Sequence, residues 1–159
     1  IDVRLVGSEM CIRDSSTEDQ NEFLFKLGYS KFMRKKRDEA KVNFNELLQR
    51  KSDYKVPATY YYSHIAYEEG KYQTALVGFR SISKSKMFKS IIPYYITQIL
   101  YQQHKYDDLI AYAPVYIDSV IEKRKGEFAK LIGDSYYKNQ DYIKAIDYYK
   151  VFKKRLIKF

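Results

Sequence analysis

Apolar residues recur along this chain three or four positions apart, in runs interrupted by short polar turns, the spacing of amphipathic helices. The clearest run is residues 127–152, EFAKLIGDSYYKNQDYIKAIDYYKVF. It predicts two helices joined by a tight polar turn, with Ile132 and Gly133 on the first and Tyr142, Ala145, Tyr149 and Phe152 on the second. Gly133 and Ala145 mark where the two helices would cross, because a bulky side chain there would push the backbones apart. The same pattern divides the chain into four predicted helix pairs, residues 21–55, 56–89, 90–125 and 126–159. The first pair carries Leu24, Leu27 and Gly28, then Ala40, Phe44 and Leu47. Asp38 and Glu39 follow the basic turn 34–37, placing acids at a helix start, where the helix dipole favours them. The second pair opens with Pro57 near a first helical turn, where a missing N–H is harmless. It continues through Tyr62 and Ser63, the turn at Gly70, and Tyr72, Ala75, Phe79 and Ile82. The third holds Ile96, Thr97 and Leu100, then Tyr106, Leu109 and Tyr116. Pro114 lies inside its second helix and is expected to kink or break it.

Aligned on the small residue of each first helix, the pairs give Gly28, Ser63, Thr97 and Gly133. Aligned on the crossing residue of each second helix, they give Ala40, Ala75, Leu109 and Ala145. Both series step by 34 to 36 residues, the period of the tetratricopeptide repeat. On these residues the chain resembles a tetratricopeptide repeat protein of bacterial type, and the resemblance covers residues 21–159. It departs from the pattern at Leu109, which replaces an alanine, and at Lys31 and Arg37, which replace aromatics. The resemblance implies an all-α fold: a right-handed superhelical solenoid of about four helix-turn-helix repeats, stabilised by stacking on neighbours. It also implies a concave wall lined by the first helix of each pair.

Residues 5–15, LVGSEMCIRDS, resemble the in-frame translation of a sequencing-library adapter, so residues 1–15 are set aside as an artefactual segment. Cys11, the only cysteine, then carries no information on redox compartment or catalysis. The array is expected to be a fragment truncated at both ends, since 151–158 stays apolar on one side with no stop signal. The chain has 18 Tyr and 9 Phe but no Trp, a mixture that suits thin helical layers with half-exposed faces. Net charge is +9; removing Asp2, Arg4, Glu9, Arg13 and Asp14, which together carry −1, raises it to +10. Such a surplus favours acidic partners, nucleic acid or an anionic membrane surface, although lysines that merely solvate helix exteriors give the same count. No apolar run approaches the roughly 18 residues of a membrane span.

No catalytic constellation is legible. His64 and His104 stand in different repeats without cysteine partners, and His64 with Glu68 is the pairing of a surface hydrogen bond. The neighbours Glu68-Glu69 and Asp107-Asp108 diverge on a helix. No Gly-rich phosphate loop or nucleophile turn occurs. The chain is therefore expected to be no enzyme, with no cofactor, no metal and no small-molecule substrate.

What stands out is a periodic stripe on the first helices. Phe32, Tyr67, Tyr101 and Tyr137 follow each small residue by four. Phe25, Tyr60, Tyr94 and Lys130 precede it by three, and Tyr29, His64, Gln98 and Asp134 follow it by one. These share one face of each helix, and in the resembled family that face looks into the groove and holds the ligand. Tyrosine gives contact area at little entropy cost while its hydroxyl stays hydrogen-bonded; the same rings could instead pack between successive first helices. Three readings follow. One is a scaffold binding a peptide or helix of a partner protein, with Lys130, Lys138 and Gln98 choosing polar or acidic partners. A second is a structural spacer of a Gram-negative cell-envelope assembly, on a similarity of style to outer-membrane assembly lipoproteins; it would place the chain in the periplasm or envelope, with membrane attachment only through an anchor outside the sequence. A third is nucleic-acid binding through interleaved Lys and Tyr, which the paucity of lysine on the stripe disfavours.

Overall fold

The computed structural model describes residues 16–156. The adapter-like stretch with Cys11, and residues 157–159 at the other end, lie outside the described residues. Among the described residues the chain forms eight α-helices, one short 3-10 helix and no strand. In order these are α1 (Thr17–Met33), α2 (Arg37–Leu48), α3 (Lys55–Glu68), α4 (Tyr72–Ser81), α5 (Ile92–Gln102), α6 (Tyr106–Tyr112), the 3-10 turn (Ala113–Tyr116), α7 (Glu122–Lys138) and α8 (Tyr142–Leu156). They fall into two compact units, Ile1–Lys71 and Tyr72–Phe159.

In the first unit a capping box starts α1. The Asp19 amide donates to Ser16 Oγ at 3.1 Å, and the Ser16 amide donates back to the Asp19 carboxylate at 3.1 Å. Two of the N–H groups that a helix start leaves unpaired are thereby satisfied. This box starts the helix at Thr17, ahead of the first apolar residue of the predicted run. Helices α1 and α2 cross at Gly28, where a Cβ would lie 3.0 Å from the Phe44 ring and 3.1 Å from Asn43 Cβ. Helix α3 then lies across α2. Leu24, Ala40, Phe44, Leu47, Ala58 and Ile65 form the core, with Tyr61 and Tyr54 packed against it. The Phe44 and Tyr61 rings stack at 5.5 Å, and Arg37 and Lys41 of α2 bond to Glu68 (2.5 Å) and Glu69 (2.7 Å). Because the start of α2 meets the end of α3, the two run antiparallel.

In the second unit, Phe79 of α4 stacks on Tyr95 of α5 at 5.2 Å and 11°. Helix α5 is buried on nearly all sides, through Ile92, Pro93, Tyr94, Ile96, Thr97, Ile99 and Leu100. Helix α6 stops at Tyr112 and the chain passes into the 3-10 turn that contains Pro114. The ring removes one amide donor and clashes with the preceding turn, so the expected break occurs there. The Ile121 amide donates to the Ser90 carbonyl at 2.9 Å, tying the loop before α7 back to the loop before α5. Helices α7 and α8 cross at Gly133, whose Cβ would lie 2.9 Å from two carbons of the Tyr149 ring.

One backbone feature recurs after α1, α3, α5 and α7. Lys35, Gly70, His104 and Gln140 adopt φ of 61°, 73°, 56° and 62°, the left-handed region. The next residue in each case donates to the carbonyl five positions back: Lys36 to Lys31 (3.0 Å), Lys71 to Ala66 (2.8 Å), Lys105 to Leu100 (2.9 Å) and Asp141 to Tyr136 (2.9 Å). This is the Schellman closure, which satisfies carbonyls left unpaired at a helix end. The four turns stand 34 to 36 residues apart, so the backbone repeats with the period of the crossing residues. Those residues are buried throughout: Gly28, Ser63, Thr97 and Gly133 on one series, Ala40, Ala75, Leu109 and Ala145 on the other.

Candidate functional site

The stripe on the first helices is partly packed and partly open. In the first unit Tyr61, which the spacing did not single out, is the hub. Phe25 meets its ring at 6.1 Å, Tyr29 edge-on at 5.3 Å, Phe32 at 5.1 Å and Tyr60 at 5.2 Å. Phe25 also packs on Tyr54 at 5.4 Å, and Phe32 lies under the Arg37 guanidinium at 4.2 Å. These two phenylalanines are half-buried between α1, α2 and α3. Tyr29 remains exposed, while Tyr60, His64 and Tyr67 are half-buried on α3. Burial, with the neighbouring Tyr29 hydroxyl, pushes the Tyr61 phenol above its ordinary pKa.

His64 lies edge-on to Phe32 at 5.6 Å, with Nδ1 3.8 Å from Glu68 Oε1. Burial lowers its pKa, Glu68 opposes the shift and Arg37 adds to it. The depressed value means the fold favours neutral imidazole. The stability this contributes is present above the unfolded His pKa and is lost as pH falls towards the folded value.

In the second unit two stripe residues are internal. Tyr94 and Gln98 of α5 are buried. Gln98 Nε2 donates to the Tyr94 hydroxyl at 2.9 Å and to Glu127 of α7 at 3.1 Å. Arg124 caps the group, 4.9 Å over the Tyr94 ring and 3.1 Å from the Glu127 carboxylate. Burial first, and then Glu127, raise the Tyr94 phenol well above its usual range. These side chains join α5 to α7 in a satisfied polar network, as buried polar groups require. Asp134 is likewise engaged: it accepts from Lys130 Nζ at 2.6 Å and from the Tyr149 hydroxyl at 2.8 Å. The bond to Asp134 raises the Lys130 pKa, burial opposing it, so this lysine stays cationic at any physiological pH. Tyr101 is half-buried, edge-on to Tyr106 at 5.7 Å, and Tyr137 is exposed, edge-on to Tyr142 at 5.4 Å.

What remains accessible is thus a set of tyrosines whose rings are braced by other rings: Tyr29, Tyr60 and Tyr67 in one unit, Tyr101 and Tyr137 in the other. Sequence spacing could not separate Tyr61 from Tyr60 because both are tyrosine in one run. The available signal was a second periodic series, Tyr61, Tyr95 and Leu131, each two residues before the small residue. A cavity of about 420 Å³ lies off the stripe, between Ile117 and the α8 residues Tyr148 and Val151. It opens where Pro114 has cut the second helix of its pair short. Among the described residues no group of His, Cys, Asp and Glu could hold a metal ion, and no helix is long and apolar enough to cross a membrane.

No curated protein matches the chain. Residues 22–51, which take in most of α1 and all of α2, match the family model of the tetratricopeptide repeat, a repeat that generally presents a binding surface to other proteins. With consecutive helices packed on one another within each unit and the same left-handed turn closing every first helix, the fold is an all-α, tetratricopeptide-like helical repeat.

Proposed function

We propose that the chain is a non-enzymatic protein-interaction scaffold, and that a peptide segment or helix of a partner protein binds against the tyrosines of its first helices. The observation that carries this reading is the bracing of the accessible rings. Tyr29 is held edge-on by Tyr61, and Tyr137 by Tyr142, while Tyr29 stays 38% and Tyr137 55% exposed. A ring already fixed by packing loses little freedom on binding, so more of its contact energy is left as affinity. Lys130, held at 2.6 Å by Asp134, adds a polar group near Tyr101 that favours a polar or acidic residue in the partner. Phe25, Phe32, Tyr94, Gln98 and Asp134 support the surface from beneath, and His64 packs between Phe32 and Tyr67.

Peptides selected from a displayed random library against the chain test this. Selected peptides are expected to lose about 10-fold in affinity, roughly 1.4 kcal/mol, with Tyr67→Ala or with Tyr101→Ala. Helicity by circular dichroism is expected to stay nearly unchanged, and Val77→Ala, an exposed residue on α4, is expected to leave binding intact. Peptides whose affinity ignores both tyrosines would place the binding surface elsewhere.

A further inference from the structure

Acidic and basic residues are interspersed along most of this chain, but not through its middle. Between Glu69 and Asp107 there is no Asp or Glu, although the chain has 20 in 159 residues, while Arg80, Lys84, Lys86 and Lys89 fall inside that gap. The three lysines lie on the link between α4 and α5. That link, residues 82–91, is ten residues long, where the link between α2 and α3, residues 49–54, is six.

The longer link is built, not slack. The Ser85 amide donates to the Ile82 carbonyl at 2.9 Å, the Lys89 amide to the Ser85 carbonyl at 2.9 Å and the Ile92 amide to the Phe88 carbonyl at 3.0 Å. One turn therefore closes on the next, and the Met87 amide donates to Ser85 Oγ at 3.3 Å. The bond from the Ile121 amide to Ser90 fixes the far end. Phe88 is buried and anchors the link, while its neighbour Met87 is 66% exposed. A large apolar side chain is thus held out in water, with Lys86 next to it and Lys84 and Lys89 within three residues. All three lysines are exposed, and among the described residues none is paired with a carboxylate. Lys125, in the same unit, is by contrast held by Asp118 at 2.8 Å.

We propose that residues 84–89 form a peripheral contact for an anionic lipid bilayer. Lys84, Lys86 and Lys89 lie among the anionic headgroups, and Met87 enters the boundary between headgroups and acyl chains. The lysines gain only from a partner that carries negative charge, and Met87 only from one that offers an apolar layer. An anionic bilayer supplies both, one beneath the other. An acidic protein segment fits less well, because protein interfaces favour aromatic residues and Arg and are depleted in Lys. Single-stranded nucleic acid needs ring faces for stacking, and Phe88, the one ring on the link, is buried. The contact needs no membrane-spanning helix. It uses none of the tyrosines of the first helices, so it stands or falls separately from the partner-binding surface.

Cosedimentation with vesicles of phosphatidylcholine alone, and of phosphatidylcholine with an equal part of phosphatidylglycerol, tests it. Binding is expected to the second kind only. It is expected to fall as salt rises from about 0.1 M to about 1 M, which shortens the Debye length from about 10 Å to about 3 Å. Each of Lys84→Gln, Lys86→Gln and Lys89→Gln is expected to weaken binding about fivefold. The same charge removed elsewhere, by Lys51→Gln, Lys55→Gln and Lys105→Gln together, is expected to change it less than any one of them. All six lysines are exposed, so every variant is expected to keep the parent helicity. The chain has no Trp, so Met87→Trp places a single reporter on the link. Its emission is expected to shift to the blue on the acidic vesicles and to stay unshifted with polyglutamate or duplex DNA. Equal weakening by the two sets of three lysines overturns the proposal, since net charge alone would then be read. So does an unshifted emission on acidic vesicles, or binding to polyglutamate or duplex DNA as tight as to the vesicles, which would give the link to an acidic protein or to nucleic acid.

Discussion

Lys35, His104 and Gln140 hold a conformation that a side chain disfavours by roughly 1 kcal/mol or more, because Cβ approaches the following carbonyl oxygen. Gly70 sits in the same turn without that cost. Gln140 is exposed, and the turn is closed by its own amide and that of Asp141. Gln140→Gly is therefore expected to raise stability by about 1 kcal/mol, and Gly70→Ala to lower it by a similar amount. Urea midpoints measure both, and equal midpoints for parent and variants would mean the turns relax instead of holding their φ. The positive φ was legible only at Gly70, since nothing in a lysine, histidine or glutamine announces it. The crossing residues could be read, because Gly28, Ser63, Thr97 and Gly133 are small at a fixed period. Which tyrosines stay accessible could not. Tyr60 and Tyr61 are adjacent and chemically identical, and only the Phe25, Phe32 and Phe44 rings from other helices decide that Tyr61 turns inward. Tyr94 and Gln98 are drawn inside by Glu127 and Arg124, a contact across about thirty residues that helical spacing does not encode.

For the helices, the decisive quantity is how closely the two members of a pair approach. Replacing a solvent-exposed helical glycine by alanine stabilises by about 1 kcal/mol. At Gly133 the added methyl would stand 2.9 Å from the Tyr149 ring, a ring pinned by its bond to Asp134 at 2.8 Å. Overpacking of this kind costs about 1–3 kcal/mol, which exceeds the propensity gain. Gly133→Ala is accordingly expected to lower the thermal midpoint, with Tyr149→Ala in the same chain recovering part of the loss. A raised midpoint for Gly133→Ala alone would show that α7 and α8 are not in tight contact there. Helix ends were less legible than crossings. Pro114 announced the end of α6, but α1 begins at a capping box whose Ser16 borders the adapter-like residues. Helix α7 begins at Glu122, where the Ile121–Ser90 bond fixes the chain, and no local pattern marks that bond.

Across the whole molecule, each helix is held chiefly by the helices next to it in sequence, so stability is expected to be local. In helical repeats the total is close to a sum of unit and nearest-neighbour terms, and here the chain divides into two compact units. Phe44 tests this because it is fully buried and touches Phe25 of α1 and Tyr61 of α3. Truncating it to alanine removes about 3–5 kcal/mol, comparable to the whole stability of a unit of this size. If stability were shared evenly, that loss would lower amide protection throughout the chain. If it is local, hydrogen exchange followed by mass spectrometry should show Phe44→Ala deprotecting residues 17–68 while α5, α7 and α8 keep the parent rates. The Tyr94–Gln98–Glu127 network and the Gly133 crossing lie wholly in the second unit and owe nothing to Phe44. Equal loss of protection in both units would mean that the chain folds as one cooperative body. In that case the tyrosines of the two units would also be expected to respond to a bound partner together.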